Sequence, residues 1–214
     1  MNDYIIFDIE TTGLSQESDA IMELSALKVA DGSIADEFSV LVKPGRPIPD
    51  LICDITGITN DMVKDAPPIE DVLGCFVDFI GDLPLVGQNI MRFDMKFIQR
   101  DAQRILGRTL GNKIIDTLFL AKRLLPELEH HSLEALAEHY DISYEGAHRA
   151  LVDCNINYQV YLRLLEEMKN PSEAAKLIKY CSRCGNLLKK RSGAYGEFWG
   201  CASFPDCRYT RNVK

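Results

Sequence analysis

Apolar positions change their spacing several times along the first 169 residues. Residues 4–9 form a short, Ile-rich run, the mark of a buried strand. Residues 20–30 and 34–42 are strand-like and are separated by Asp31-Gly32, a strong hairpin signal. The chain therefore opens with three strands as an antiparallel meander, followed by a loop over residues 44–49. Helical spacing runs from residue 72 to 80, a short strand follows over 83–86 and ends at Gly87, and residues 91–106 make an amphipathic helix. Residues 113–115 are a strand, and 116–125 a helix stopped before Pro126. Ser132 is a partial N-cap for another helix, and residues 149–168 form a long final one. Strands alternating with helices after a meander predict an α/β class with a mixed sheet flanked by helices.

Composition changes at the far end. The whole chain of 214 residues carries a net charge of −8, which argues against nucleic acid as a partner. Splitting it reverses the reading for the tail. Residues 179–214 hold eight Lys or Arg against two acids, or +6, which leaves 16 basic and 30 acidic residues upstream, or −14. Tyr180, Tyr195, Phe198, Trp199, Phe204 and Tyr209 cluster in the same stretch with four of the seven cysteines. The expected organisation is a domain over residues 1–169, a linker or short helix over 170–179, and a small unit over 180–214. With 46% hydrophobic and 26% charged residues, a core can be buried and disorder of the whole chain is excluded. No apolar run is long enough to span a membrane, and no secretory leader is recognisable, so a cytoplasmic protein with reduced thiols is expected.

The acids fall at particular places on this outline. Asp8 and Glu10 alternate with Phe7 and Ile9, so one face of the first strand carries two carboxylates. Buried carboxylates are costly unless paired or bound to metal. Asp94 stands at the start of a helix, Asp153 one turn into the last one, and His148 five residues before it. Each alone has an ordinary explanation, such as a salt bridge or a first-turn acid favouring the helix dipole. Together, four carboxylates on three elements and one group titrating near neutrality are the parts of a two-metal phosphodiester hydrolase. Mg²⁺ and Mn²⁺ take oxygen ligands, and two of them roughly 4 Å apart clamp the attacking and leaving oxygens. Asp116 is either a helix cap or a support for the site, and Cys53, Cys75 and Cys154 read as small core residues.

Phe7-Asp8-Ile9-Glu10-Thr11-Thr12-Gly13-Leu14, Gly87-Gln88-Asn89-Ile90-Met91-Arg92-Phe93-Asp94 and His148-Arg149-Ala150-Leu151-Val152-Asp153 resemble the three motifs of the DEDDh 3′→5′ exonucleases, the family of the proofreading epsilon subunits. The resemblance implies a ribonuclease H-like fold with Asp8, Glu10, Asp94 and Asp153 ligating two Mg²⁺ or Mn²⁺ and His148 as general base. It implies Thr11, Thr12 and Leu14 lining the pocket of the terminal nucleotide, with Asn89 and Phe93 beside it. Arg149 stands where the other DEDD subclass has Tyr, which indicates the His subclass. Gln88 departs from the His common in the family, at a position that is not a metal ligand.

In the tail, Cys181-x₂-Cys184 and Cys201-x₅-Cys207 give two thiolate pairs spaced for one structural Zn²⁺. A unit of this size needs metal to fold. The string resembles the C-terminal zinc fingers of type IA topoisomerases, which bind single-stranded DNA. Lys189, Lys190, Arg191 and Arg208 suit phosphates, and Phe198 and Tyr209 suit stacking on bases. Trp199 and Phe204 are either stacking faces or the ribbon's own core. The expected function is a metal-dependent 3′→5′ exonuclease on single-stranded DNA, with a polymerase or repair protein as a partner. An RNA 3′-end exonuclease and an inactive adaptor are the rivals.

Overall fold

The computed structural model describes residues 3–177, 179–184, 186–193, 196–205 and 207–213. Tyr195, counted among the tail aromatics, lies outside the described residues, as do Asp206 and Lys214 of the charge count and residues 1–2.

The elements run β1 (Tyr4–Thr11), β2 (Ile21–Ala30), β3 (Ser33–Leu41), α1 (Asp50–Thr56), α2 (Asn60–Val63), α3 (Ile69–Ile80), β4 (Leu85–Gly87), α4 (Asp94–Leu106), β5 (Ile114–Asp116), α5 (Thr117–Leu124), α6 (Leu133–His139), α7 (Ala150–Lys169), α8 (Glu173–Leu177), β6 (Leu188–Gly193), β7 (Gly196–Cys201) and β8 (Thr210–Asn212). The predicted meander is present. β1 pairs antiparallel with β2, and β2 with β3, through a turn at Asp31 and Gly32 where both residues have positive φ. β4 and β5 add in parallel on the other side, giving the order β3-β2-β1-β4-β5. β1 is thus central, and its two faces pack differently. Ile5, Phe7 and Ile9 pack in a cluster with α3 and α4, while Tyr4 and Ile6 pack with Cys154 and Tyr161 of α7. By the period of two, Asp8 and Glu10 face α7.

Three expectations change. The helix expected from residue 91 starts at Asp94, because residues 89–93 form a turn: Asn89 takes φ +56, and its carbonyl accepts the N–H groups of Arg92 and Phe93. Two short helices, α1 and α2, follow the proline loop where no element was assigned. Cys75 is exposed on α3, whereas Cys154 is buried and Cys53 half-buried. The open linker question resolves locally: residues 173–177 are a helix turn and a half, with the Ser172 hydroxyl accepting the Ala175 N–H. No helix among the described residues is long and apolar enough to cross a membrane.

Gly87 closes β4 where a side chain has no room, since a Cβ there would stand 2.7 Å from Ile90 Cδ1. This lets the chain turn sharply into the segment that delivers Asp94.

The C-terminal strands form a separate three-stranded antiparallel sheet in the order β6-β7-β8. Its buried hydrophobic cluster is Cys181, Leu188, Cys201 and Cys207, a core too small to hold a fold by apolar burial alone.

Candidate active site and zinc ribbon

Carboxylate oxygens of Asp8, Glu10 and Asp153 lie within 4.8 Å of one another. Strand alternation aims the first two at α7, and the first turn of α7 supplies the third. Asp94 borders this group. It is buried at the first position of α4, and its Oδ1 accepts the Ile9 N–H at 3.2 Å, so it is tied to β1 between Asp8 and Glu10 in sequence. Of the neighbouring charges, that of Asp94 bears most on Asp8.

Burial, then the repulsion of Asp94, Glu10 and Asp153, holds the Asp8 carboxyl well above the usual range. Burial, then Asp153 and Glu23, pushes Glu10 up to about 8. Burial raises Asp94 to about 7 and Asp153 to about 6. Asp153 Oδ2 accepts the His148 N–H at 3.1 Å, but Oδ1 is buried with no hydrogen-bond partner among the described residues. A buried carboxylate oxygen without a donor, inside a cluster of like charges, is expensive. Hard divalent cations with oxygen ligands remove that cost, and the donor set fits them.

His148 has φ +67 and an exposed side chain, with its ring edge-on to Tyr144 at 6.2 Å between centroids. The backbone bond to Asp153 fixes it beside the carboxylates. Next to it lies a contact the sequence reading missed. Glu23 on β2 is buried and receives Arg149 Nε at 3.2 Å on both oxygens, Arg149 Nη2 at 2.7 Å and the Ala150 N–H at 2.9 Å. One signal was present: Glu23 is the acid inside the otherwise apolar run Ile21-Met22-Glu23-Leu24.

Asp116 proves to do two jobs. Oδ1 caps α5 through Leu118 and Phe119, and Oδ2 accepts the Met91 N–H at 3.2 Å, pinning the turn before Asp94. Gln88 is tied to the Thr117 hydroxyl and the His131 carbonyl, so its side chain is structural.

Thr11 and Thr12, expected beside the terminal nucleotide, stand at the end of β1 and the start of the loop after it. Both side chains are buried; the Thr11 hydroxyl donates to the Gly13 carbonyl, and Thr12 Oγ1 accepts the Ala20 N–H and reaches Asp19. These bonds shape the loop over residues 12–19. The loop presents Leu14, which is 86% exposed. Arg100 pins the loop by donating to the Gln16 and Asp19 carbonyls. Leu14 and Phe93 line one open hollow of about 220 Å³ together with Arg92 and Lys96, while Asn89 serves the turn behind it.

In the ribbon, all four sulfurs lie within 4.8 Å of one another, with Cys181 and Cys207 at 3.7 Å and Cys184 and Cys201 at 3.3 Å. Four sulfurs about 2.3 Å from one tetrahedral Zn²⁺ stand roughly 3.8 Å apart. The Arg183 and Ser203 N–H groups point at Cys181 and Cys201 sulfurs at 3.3 and 3.4 Å, as suits thiolates. The residues fit a closed structural site. Trp199 packs on this core under the Lys179 ammonium, whereas Phe204 is 62% exposed, which separates the two aromatics left open above. Lys189, Arg191 and Phe198 share one strand face, where Arg191, Phe198, Phe204, Arg208 and Tyr209 line a hollow of about 230 Å³. Lys190 faces the other way and forms an exposed ion pair with Glu197 at 2.5 Å.

An acid-lined α/β site and a four-thiolate ribbon agree with what the chain is similar to. Residues 5–161 match the exonuclease family, and residues 178–214 match the topoisomerase DNA-binding C4 zinc finger. The chain belongs to the exonuclease family. The epsilon subunit of DNA polymerase III from Aquifex aeolicus is 37% identical over 165 residues, which cover 77% of this chain and 81% of that subunit. The PolC-type DNA polymerase III of Bacillus subtilis (strain 168) is 41% identical over 165 residues, covering 77% of this chain and 11% of the relative. That of Caldanaerobacter subterraneus subsp. tengcongensis is 37% identical over 189 residues, covering 88% and 13%. The chain thus spans only a small part of these PolC-type relatives. Among solved structures, exonuclease X in complex with 5′ overhanging duplex DNA is 31% identical with a TM-score of 0.63, covering 79% of this chain and 95% of that one. Escherichia coli exonuclease I in complex with a dT13 oligonucleotide shares the fold at 16% identity and a TM-score of 0.70, covering 97% of this chain and 54% of that one.

Proposed function

We propose that the protein is a Mg²⁺- or Mn²⁺-dependent 3′→5′ exonuclease that shortens single-stranded DNA and releases nucleoside 5′-monophosphates. The observation that carries this reading is the convergence of Asp8, Glu10 and Asp153 from two elements, with Asp94 alongside and His148 at the rim. These four carboxylates would hold the divalent ions, which when bound stabilise charge on the attacking and leaving oxygens. The His148 imidazole takes the proton of the attacking water as general base. Leu14 and Phe93 flank the terminal nucleotide, with Thr11, Thr12 and Asn89 holding the backbone around it.

In this reading residues 1–169 are the catalytic domain, 170–179 the linker and 180–214 a ribbon that takes one structural Zn²⁺ and holds the strand. Lys189, Arg191 and Arg208 meet phosphates, and Phe198 and Tyr209 meet bases. A strongly acidic catalytic domain repels DNA, which gives the basic ribbon a purpose. The likeness to an epsilon subunit supports a polymerase or repair partner. A cytoplasmic setting keeps the four thiols reduced.

Incubating 3′-labelled DNA and RNA strands with Mn²⁺ is the deciding experiment. Release of labelled mononucleotide from DNA, abolished by Asp8→Asn, is the expected result. Faster release from RNA would move the substrate to RNA. Activity surviving in Asp8→Asn would reject the site, and no activity on either strand would favour an adaptor.

A further inference from the structure

A basic line leaves the acidic site from the second exonuclease motif and continues along surfaces outside the three motifs. It begins at Arg92, two residues before Asp94, whose guanidinium lies over the Phe119 ring at 5.5 Å. Phe119 is on α5, and one turn further along the same helix stand Lys122 and Arg123. Arg123 stacks over the Tyr180 ring at 4.0 Å, at the start of the ribbon. Tyr180 is bridged to Leu187, two residues before Lys189. Aromatic contacts therefore join site, α5 and ribbon in one path, with a cation at each step.

Two further facts distinguish this line from a solvated face. Among the described residues, none of Arg92, Lys122, Arg123 or Lys189 forms an ion pair, in a chain with eight more acids than bases. In addition, Lys122 is half-buried, and its ammonium is held below the usual lysine range by burial first, then by Arg92 and Lys189, with Asp116 acting in the opposite direction. Three cations gathered around one carboxylate are left with excess positive charge, which an anion would cover.

We infer that Arg92, Lys122 and Lys189 form a phosphate track that carries a single strand from the ribbon along α5 to the carboxylate site. The inference rests on the nuclease reading for the direction of the strand. The contacts it proposes are to the sugar-phosphate backbone, so they are indifferent to sequence. They give the ribbon a way to deliver the strand it holds.

The test uses the full chain with zinc in place, silenced by Asp8→Asn, and measures binding of labelled dT20 and dT3 over a range of salt. Each phosphate contact to a single strand contributes about 0.7 to the slope of log K against log[salt]. Lys122→Ala should lower the dT20 slope by about that much and weaken binding several-fold, Lys122→Arg should restore both, and dT3 should bind as before. Lys189→Ala gives a second reading where Lys122→Ala disturbs folding, and should flatten the slope likewise. An unchanged dT20 slope in both alanine variants would overturn the track, and so would an equal loss for dT3, which would place Lys122 inside the site. Cleavage by the unsilenced protein is scored separately, so loss of the nuclease reading and loss of the track give different results.

Discussion

Glu10 and Glu23 stand directly opposite each other across β1 and β2, yet among the described residues only Glu23 of the two forms an ion pair. Arg149 and the first N–H of α7 satisfy Glu23 completely, while Glu10 is left among carboxylates and driven up to about 8. One acid of the pair locks the sheet to α7, and the other faces the carboxylate cluster.

Removing the clasp should therefore cost both stability and activity. Arg149→Ala leaves Glu23 buried without its cation, and breaking a buried pair costs about 3–5 kcal/mol. Arg149 is 39% exposed, so water recovers part of this, and a loss of about 1–3 kcal/mol in denaturant unfolding is expected. Cleavage should fall further than stability explains, because His148 and Asp153 flank the displaced helix start. An unfolding midpoint like that of the unaltered protein would show the clasp to be ornamental.

The carboxylate cluster predicts an inverted pH dependence for the metal-free chain. Asp153, Asp94 and Glu10 sit at about 6, 7 and 8 in the folded protein, against ordinary values of 3.8, 3.8 and 4.5. The folded state thus holds protons that the unfolded state has lost. The stability linked to them is present below about pH 4 and disappears as pH rises through 6 to 8. Melting temperature in Mg²⁺-depleted buffer should fall over that window, and saturating Mg²⁺ or Mn²⁺ should remove most of the fall. A flat profile without metal would mean that the acids do not repel as the geometry requires.

The sequence makes some of these features legible and hides others. The alternation of Asp8 and Glu10 with Phe7 and Ile9 announces a polar stripe on a buried strand, because the period of a strand is fixed. The cysteine spacing announces a tetrahedral site for the same kind of reason. The Glu23–Arg149 clasp is hidden because its partners are 126 residues apart and neither belongs to a periodic pattern that requires the other. The start of α4 shifts to Asp94 because Asp116, on another strand, pins Met91. Thr12 sits in a motif associated with the nucleotide, but the loop takes its hydroxyl, a choice made by Asp19 and Ala20 seven and eight residues away. Cys75 occupies a helix position whose exposure depends on which face α3 turns to the sheet.

The ribbon should depend on zinc while the larger domain does not. Only a handful of residues are buried around the thiolates, too few to offset the entropy of ordering the segment. Stripping zinc should abolish amide protection over residues 188–193 and 196–201, leave protection in β1 and α7 intact, and be reversed by adding Zn²⁺. Protection surviving in the zinc-free ribbon would show that apolar packing suffices.

Leu14 offers the cleanest separation of binding from folding. Its side chain is 86% exposed, so the folded chain gains little from it, and Leu14→Ala should leave the melting temperature unchanged. A nucleotide seated in the hollow between Leu14 and Phe93 would cover it. Withdrawing three carbons from that contact forfeits about 1–2 kcal/mol of apolar burial, or roughly a tenfold loss in kcat/KM. Because the terminal residue is also less firmly oriented, part of the loss should appear in kcat. Assays on a short oligonucleotide report the contact without contribution from the ribbon. Unaltered kinetics in the variant would move the terminal nucleotide away from the loop over residues 12–19.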